Sequence, residues 1–198
     1  MHPYATDSPE RQKVVLCIGS ISVGLAYAFH GIIHALNLQV PWWVDAPGVL
    51  AIAAGLYEIF DKWLWRIPLL RKFGIVKVPD LNGEWKVVGQ TSWSQGQEYH
   101  GNARIRQTWT HISICLETEY SSSRSLTASL LINEPEGPTL SYEYRNDPRP
   151  NAPTTMHSHR GTAVLRLIND SRLEGEYYSG RDRQNYGGLT LRRKNNAG

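Results

Sequence analysis

The sequence predicts an N-terminal α-helical transmembrane hairpin of two helices, followed by an all-β domain: a compact eight-stranded antiparallel up-and-down β-barrel. Three observations predict it. Val14 to Leu36 contain no Asp, Glu, Lys or Arg, and about 20 such residues cross a bilayer as a helix. A second apolar segment follows an uncharged turn, Asn37-Leu38-Gln39-Val40-Pro41. From Leu81 onward apolar and polar residues alternate, the period of a half-buried strand. The expected organisation is a cytoplasmic N-terminal tail at 1–13, the hairpin at 14–65, a connector at 66–79 and the barrel at 80–198.

Averages over the chain hide this division. Mean hydropathy is −0.39, yet the halves differ sharply. The net charge of +3 divides into 7 Lys/Arg against 5 Asp/Glu as far as Pro79 and 14 against 13 beyond it. Neither half is a polybasic surface, which excludes binding to long nucleic acid. Cys17 falls in the first apolar run and Cys115 in the β half, so both are expected to be reduced, as on the cytoplasmic side of a membrane. Val14 to Leu36 is too long for the apolar core of a signal peptide, and a second apolar segment follows at once.

In the first segment Ser20, Gly24 and Ala28 recur at every fourth position, and Gly31 and Ala35 repeat the spacing. Small residues at that interval let helix backbones approach closely in lipid. The second segment runs from Trp42 to about Phe60, with Asp45 near one end and Glu58 and Asp61 near the other. Trp42 and Trp43, with Trp63 and Trp65, stand where interfacial aromatic belts belong, and Ala51 and Gly55 again present a small face. A helix lying in the membrane interface is the alternative for this segment. The turn carries no Lys or Arg, whereas Arg11, Lys13, Lys62, Arg66, Arg71 and Lys72 flank the hairpin. Both ends are therefore expected in the cytoplasm, making the chain a multi-pass membrane protein. His30 and His34, one turn apart, either line a path or simply reach a helix contact and the headgroups. The connector is a short amphipathic hinge punctuated by Pro68, Gly74 and Pro79.

Eight strands are expected at about Gly83–Gly89, Gly101–Trp109, Ile112–Glu119, Ser123–Asn133, Thr139–Asn146, His157–Ile168, Arg172–Ser179 and Gly187–Arg193, joined by short Gly-, Asn-, Ser- or Pro-rich turns. A barrel of that size either fills with side chains or holds one small ligand. Gly83-Glu84-Trp85, with Arg192 or Arg193 on the last strand, is similar to the lipocalin arrangement, in which a Trp closes the barrel floor beneath an Arg. Alternation places Ile105, Gln107 and Trp109 on one inward row, Ile112, Ile114, Leu116 and Thr118 on another, and Leu140, Tyr142, Tyr144 and Asn146 on a third. Each row is apolar at one end and polar at the other, as in a floored barrel with a wet mouth. The polar ends collect Thr118, Tyr142, Tyr144, Asn146, His157, His159, Tyr177 and Arg181, with Arg183 beside them. Tyr stacks on bases, Asn pairs with a base edge and Arg holds phosphate, which suits a small nucleotide. The tyrosines are otherwise rim aromatics and Arg181 a surface turn residue.

Ser121 to Ser123 and Ser125 read as a hairpin turn, since no His-Asp pair has a placeable relation to them. The His157/His159 pair lacks a third ligand, so no metal site is expected. Without a catalytic constellation the chain is not expected to be an enzyme. A membrane-tethered lipocalin-like carrier of lipid and a membrane-anchored hydrolase remain the alternatives.

Taken together, the hairpin, Pro79-Asp80-Leu81-Asn82-Gly83-Glu84-Trp85, Ile105-x-Gln107-x-Trp109, Ser121-Ser122-Ser123-Arg124-Ser125, Leu140-x-Tyr142-x-Tyr144-x-Asn146, His159-x-Gly161-Thr162 and Leu173-x-Gly175-x-Tyr177-Tyr178-Ser179-x-Arg181-x-Arg183 carry a resemblance over nearly the whole chain. It resembles the two-transmembrane β-barrel effectors of bacterial cyclic-oligonucleotide anti-phage signalling (CBASS), the CD-NTase-associated protein 15 family. The resemblance implies that a CD-NTase cyclase supplies a cyclic dinucleotide, that the barrel binds it without any other cofactor, and that the chains then form a homo-oligomer whose helices breach the lipid bilayer and kill the infected cell. Within these motifs, strand alternation gives the expected ligand-binding residues as Gln107, Trp109, Thr118, Tyr142, Tyr144, Asn146, His159, Tyr177 and Arg181. Ser20, Gly24, Ala28, Gly31, Ala35, Ala51 and Gly55 are the expected helix-packing positions.

Overall fold

The computed structural model describes all residues except 38–41, 93–95, 181–183 and 195–198; for 42–47 it describes the backbone alone. The chain forms two compact units, one made of 9–77 and the other of 1–8 together with 78–198.

In the helical unit, α1 spans Glu10–Ala35. Glu10 places a carboxylate in its first turn, where the exposed N–H groups of a helix start favour negative charge. The helix ends at Leu36, after which Asn37 takes φ 53°, a left-handed geometry Asn tolerates. Helix α2 spans Trp42–Lys62 and contacts α1. A 3-10 turn at Leu64–Arg66 and a short helix, α3, at Pro68–Lys72 follow. Among the described residues one helix, α1, is long and apolar enough to cross a membrane. Its buried stripe is Val14, Ile18 and Ser22, whereas Ser20, Gly24, Ala28, Gly31 and Ala35 are exposed, as are Ala51 and Gly55 on α2. A Cβ added at Gly24, Gly31 or Gly55 meets nothing within 4 Å. Among the described residues, nothing packs against the glycines of the small-residue face. Trp42, Trp43 and Asp45 lie outside the described side chains.

The other unit is a closed barrel. Its strands are β1 (His2–Thr6), β2 (Gly83–Gln90), β3 (Glu98–Gln107), β4 (His111–Thr118), β5 (Ser121–Leu131), β6 (Thr139–Pro148), β7 (His159–Asn169), β8 (Arg172–Ser179) and β9 (Tyr186–Arg193). Around the barrel the order is β1-β4-β3-β2-β9-β8-β7-β6-β5. From β2 to β9 the strands run up and down, because each alternating segment meets the next through a turn too short for anything but an antiparallel neighbour.

The expected count of eight is corrected to nine. The ninth strand comes from the first residues of the chain, expected to be a tail. β4 and β5 pair directly only over Cys115–Glu117 and Ser122–Arg124, then separate. β1 fills the gap, antiparallel to β4 through His2 and Pro3, and parallel to β5 through Tyr4, Ala5 and Thr6. Ser125 marks the fork. Its Oγ accepts the Ile114 N–H at 3.0 Å and lies 2.7 Å from His2 Nε2, and the β5–β6 register shifts between Ser125 and Thr127. A bulge inserts an extra residue and bends its strand, which opens the seam. Beyond it, Tyr4 is buried and donates its hydroxyl to Trp109 O at 2.8 Å. Five polar and small residues containing a Pro give too short a pattern to announce this strand.

The end of the barrel beside Tyr4 is solid. Trp85, Ala103, Ile105, Trp109, Ile112, Leu140, Leu165, Leu173 and Leu191 are all buried. Of the two candidate arginines Arg193 covers the floor, its Cζ 4.7 Å from the centre of the Trp85 ring, while Trp85 Nε1 donates to Leu81 O at 3.1 Å. Gly83, at φ 134°, makes the entry into β2 in a conformation that side chains rarely adopt.

Candidate functional site

Beyond the apolar layer the interior opens into a cavity of about 570 Å³, within the range of small-ligand sites. Five tyrosines line it: Tyr99 from β3, Tyr142 and Tyr144 from β6, Tyr177 from β8, and Tyr120 between β4 and β5. Tyr99 and Tyr177 meet edge to face with ring centres 6.4 Å apart, and Tyr142 and Tyr144 are 6.2 Å apart. His159 stands edge-on to Tyr144 at 6.5 Å.

The strand register explains how so many rings fit. Tyr99 is paired with Gly89, Tyr144 with Gly161 and Tyr177 with Gly187. A Cβ at Gly89 would lie 2.2 Å from Tyr99 Cζ, one at Gly161 2.4 Å from the Tyr144 hydroxyl, and one at Gly187 2.9 Å from Tyr177 Cε1. Each ring lies across the bare backbone of the facing glycine, the arrangement by which an aromatic covers a glycine in a sheet. Ring and glycine belong to one register pair, and at Gly187 the Gln90 backbone oxygen, 1.8 Å from such a Cβ, adds a second reason for the missing side chain.

Between the rings are hydrogen-bonding groups: Thr118, Ser121, Ser123, Asn146, His159 and Asn185. Thr118 Oγ1 lies 3.0 Å from Ser121 Oγ and accepts the Ser121 N–H at 3.1 Å. His159 Nδ1 is 3.0 Å from His157 O. Burial pushes the Tyr99 and Tyr142 hydroxyls well above the ordinary phenol value, with the neighbouring tyrosines acting in the same direction. Both stay protonated and able to donate. Among the described residues lining the cavity none is Lys or Arg; the carboxylates are Glu98 and Glu119.

Of the expected ligand-binding residues, Thr118, Tyr142, Tyr144, Asn146, His159 and Tyr177 come together here. Gln107 and Trp109 do not. Gln107 is buried in the solid end, where its Oε1 accepts the Leu81 N–H at 2.8 Å and its Nε2 donates to Pro79 O at 3.2 Å. Trp109 is fully buried. Alternation identifies an inward residue but not its depth, so one inward row supplies both floor and mouth. Arg181 and Arg183 lie outside the described residues. Ser121 and Ser122, read as part of a turn before a strand expected from Ser123, are instead the first strand residues of β5. The turn reading follows from serine composition, and cross-strand pairing with β6 overrides it.

Tyr99 escaped the sequence reading because the strand was expected to begin at Gly101. Its signal is nonetheless present: Ala103, Ile105 and Gln107 share a row that continues back through Gly101 to Tyr99. Asn185 and Leu189 also line the cavity, Leu189 standing in register between Gly175 of β8 and Gly89 of β2.

Comparison with known proteins decides the family. Residues 76–193 match the family model described as the Cap15 cyclic dinucleotide receptor domain, and residues 12–66 that of the Cap15 TM helices. The chain belongs to the Cap15 family. A CD-NTase-associated protein 15 from Yersinia aleksiciae is 40% identical over 143 residues, which cover 72% of this chain and 67% of the relative. One from Staphylococcus schleiferi is 24% identical over 139 residues, covering 70% and 74%. Among solved structures, a de novo designed fluorescence-activating β-barrel aligns at 20% identity and a TM-score of 0.38, covering 58% of this chain and 94% of its own. A redesigned β-barrel bound to DFHBI aligns at 12% and 0.40, covering 57% and 98%. As a Cap15-family member the chain combines a cyclic dinucleotide receptor domain with membrane helices, and the cavity described above lies within that receptor domain.

Proposed function

We propose that this chain is a membrane-bound effector of cyclic-oligonucleotide anti-phage signalling, in which a cyclic dinucleotide from a partner cyclase enters the tyrosine-lined cavity and triggers oligomerisation and disruption of the inner membrane. The observation that carries the reading is the cavity itself: five tyrosines together with Asn146, Ser121 and Ser123, in a domain matching a cyclic dinucleotide receptor. Flat rings accept the faces of both bases, and the amide and hydroxyls pair with base edges and ribose. Arg181 is assigned to a phosphate on charge alone.

Both helices span the bilayer, with the N-terminus and the barrel in the cytoplasm. Ligand shifts the chain toward an assembly-competent state only by binding that state more tightly. Two chain connections join the units, one after Ser8 and one after Lys77, and the barrel's own first strand, β1, leads directly into α1. Lys77 N–H donates to the buried Glu10 carboxylate at 2.6 Å, so the two connections are clipped together. A change at the β4–β5 seam thereby has a short covalent route to the helices. Assembly then brings together the exposed faces at Gly24, Ala28 and Gly55, which close approach in lipid favours.

The test is calorimetric titration of the full chain in nanodiscs with a panel of cyclic dinucleotides, paired with dye leakage from vesicles. One cyclic dinucleotide binds and releases dye. Failure of every member of the panel to bind overturns the receptor role, and binding without leakage overturns membrane disruption.

A further inference from the structure

The segment between α2 and the barrel has a surface that neither the receptor domain nor the spanning helices explain. From Trp63 to Ile75 the chain turns through the 3-10 turn and α3, leaving six large apolar side chains exposed: Trp63 at 61%, Leu64 at 36%, Ile67 at 40%, Leu69 at 58%, Phe73 at 68% and Ile75 at 45%. Soluble surfaces rarely gather so many at adjacent positions. The charge of the segment has one sign. Between Asp61 and Asp80 stand Lys62, Arg66, Arg71, Lys72 and Lys77, with no Asp or Glu.

Two of these cations lie over an indole ring. Arg66 Cζ lies 5.5 Å and Arg71 Cζ 5.9 Å from the centre of the buried Trp65 ring, within the reach of cation–π attraction. Arg71 Nε and Nη2 and Trp65 Nε1 find no hydrogen-bond acceptor among the described residues. Guanidinium donors near an apolar surface gain by meeting phosphate oxygens, and Arg71 is long enough to swing outward to them.

We infer that residues 63–75 form a second membrane contact, docking in the plane of an anionic lipid headgroup layer with Trp63, Leu69 and Phe73 in the acyl boundary and Arg66, Arg71 and Lys72 on lipid phosphates. Charge complementarity selects the occupant, since anionic lipids draw juxtamembrane Lys and Arg. Continuity supports it, because the match to membrane helices runs to residue 66 and the exposed apolar surface begins at Trp63. Amphipathic segments of this composition bind membranes in proportion to buried apolar area and anionic charge. The inference rests on the membrane placement of the helices and is independent of what the cavity binds.

Hydrogen exchange in the full chain without nucleotide tests it, in nanodiscs of phosphatidylcholine alone and of phosphatidylcholine with about one-third phosphatidylglycerol. Exchange over 63–75 is expected to slow at least about fivefold in the anionic discs. The Arg66→Glu/Lys72→Glu double variant loses that difference, whereas Lys86→Glu on the barrel keeps it. Leu69→Ser/Phe73→Ser speeds exchange in both lipids. Equal wild-type exchange in the two lipids overturns the inference. So does slowing that glycerophosphate added to neutral discs reproduces, which indicates a free-anion site, or slowing that requires two copies in one disc, which indicates a self-contact.

Discussion

The Tyr99 ring lies across Gly89, its register partner on the neighbouring strand, so closely that a Cβ there would stand 2.2 Å from Cζ. All three atoms nearest that Cβ belong to the Tyr99 side chain. Gly89→Ala is therefore expected to keep the fold and move the ring. On the proposed function, cyclic dinucleotide affinity falls roughly tenfold, about the loss of one base–aromatic stack, with circular dichroism unchanged. Gly161→Ala behaves differently: its Cβ would meet Tyr178 O at 2.6 Å as well as the Tyr144 ring, and the backbone has nowhere to go. Loss of thermal stability comes first there.

Because β1 belongs to the barrel, a fragment beginning at Asp80 lacks one strand of its seam. Such a fragment is expected to unfold at lower denaturant than the full chain and to expose the Ile112 and Leu130 region to exchange. Tyr4→Ala in the full chain should cost about 3 kcal/mol, the usual size of a large-to-small change at a buried aromatic, and Tyr4→Phe about 1 kcal/mol for its hydrogen bond to Trp109 O. Chemical denaturation monitored by tryptophan fluorescence measures both.

Asp7 fastens the end of the same strand, accepting the Ile132 N–H at 2.7 Å and the Asn133 N–H at 3.0 Å. The Ile132 N–H, with that of Asn133 helping, holds its carboxyl below the usual carboxylate range. A depressed folded value means that the stabilisation is complete above the unfolded value, about pH 4, and disappears as pH falls through the folded one. Asp7→Asn is expected to lower the melting temperature at pH 7 and to converge with the unsubstituted chain in acid. A constant gap across the pH range would remove Asp7 from the acid response.

At the floor, Arg193 lies over Trp85 and donates from Nη2 to Asp80 O. Arg193→Met keeps the aliphatic cover and removes the charge. About 1 to 2 kcal/mol of stability should be lost by urea titration, the range for a desolvated cation–π contact with its hydrogen bond. Arg192 is exposed, and Arg192→Met should change stability little.

On the helices, Gly24→Leu with Ala28→Leu adds bulk where a single chain has open space at Gly24 and an exposed Ala28. Cyclic dinucleotide binding should persist while vesicle leakage is lost. Leakage that survives the pair of changes would place assembly on another face.

The division into apolar helices and an alternating β half is legible in the sequence, since hydropathy and period are local properties that each segment carries alone. So are six of the residues around the cavity, because alternation fixes which side of a strand a residue faces. Depth and closure were beyond it. Gln107 and Tyr144 look alike as inward polar residues, and only the stacking of strands around the barrel sends one to the floor and the other to the mouth. Likewise β1 has no hairpin partner to announce it; its place exists only because a bulge at Ser125 parts two strands more than a hundred residues away. The cavity's shape is tertiary for the same reason, arising where each ring lies across a glycine that register, rather than sequence neighbourhood, puts opposite it.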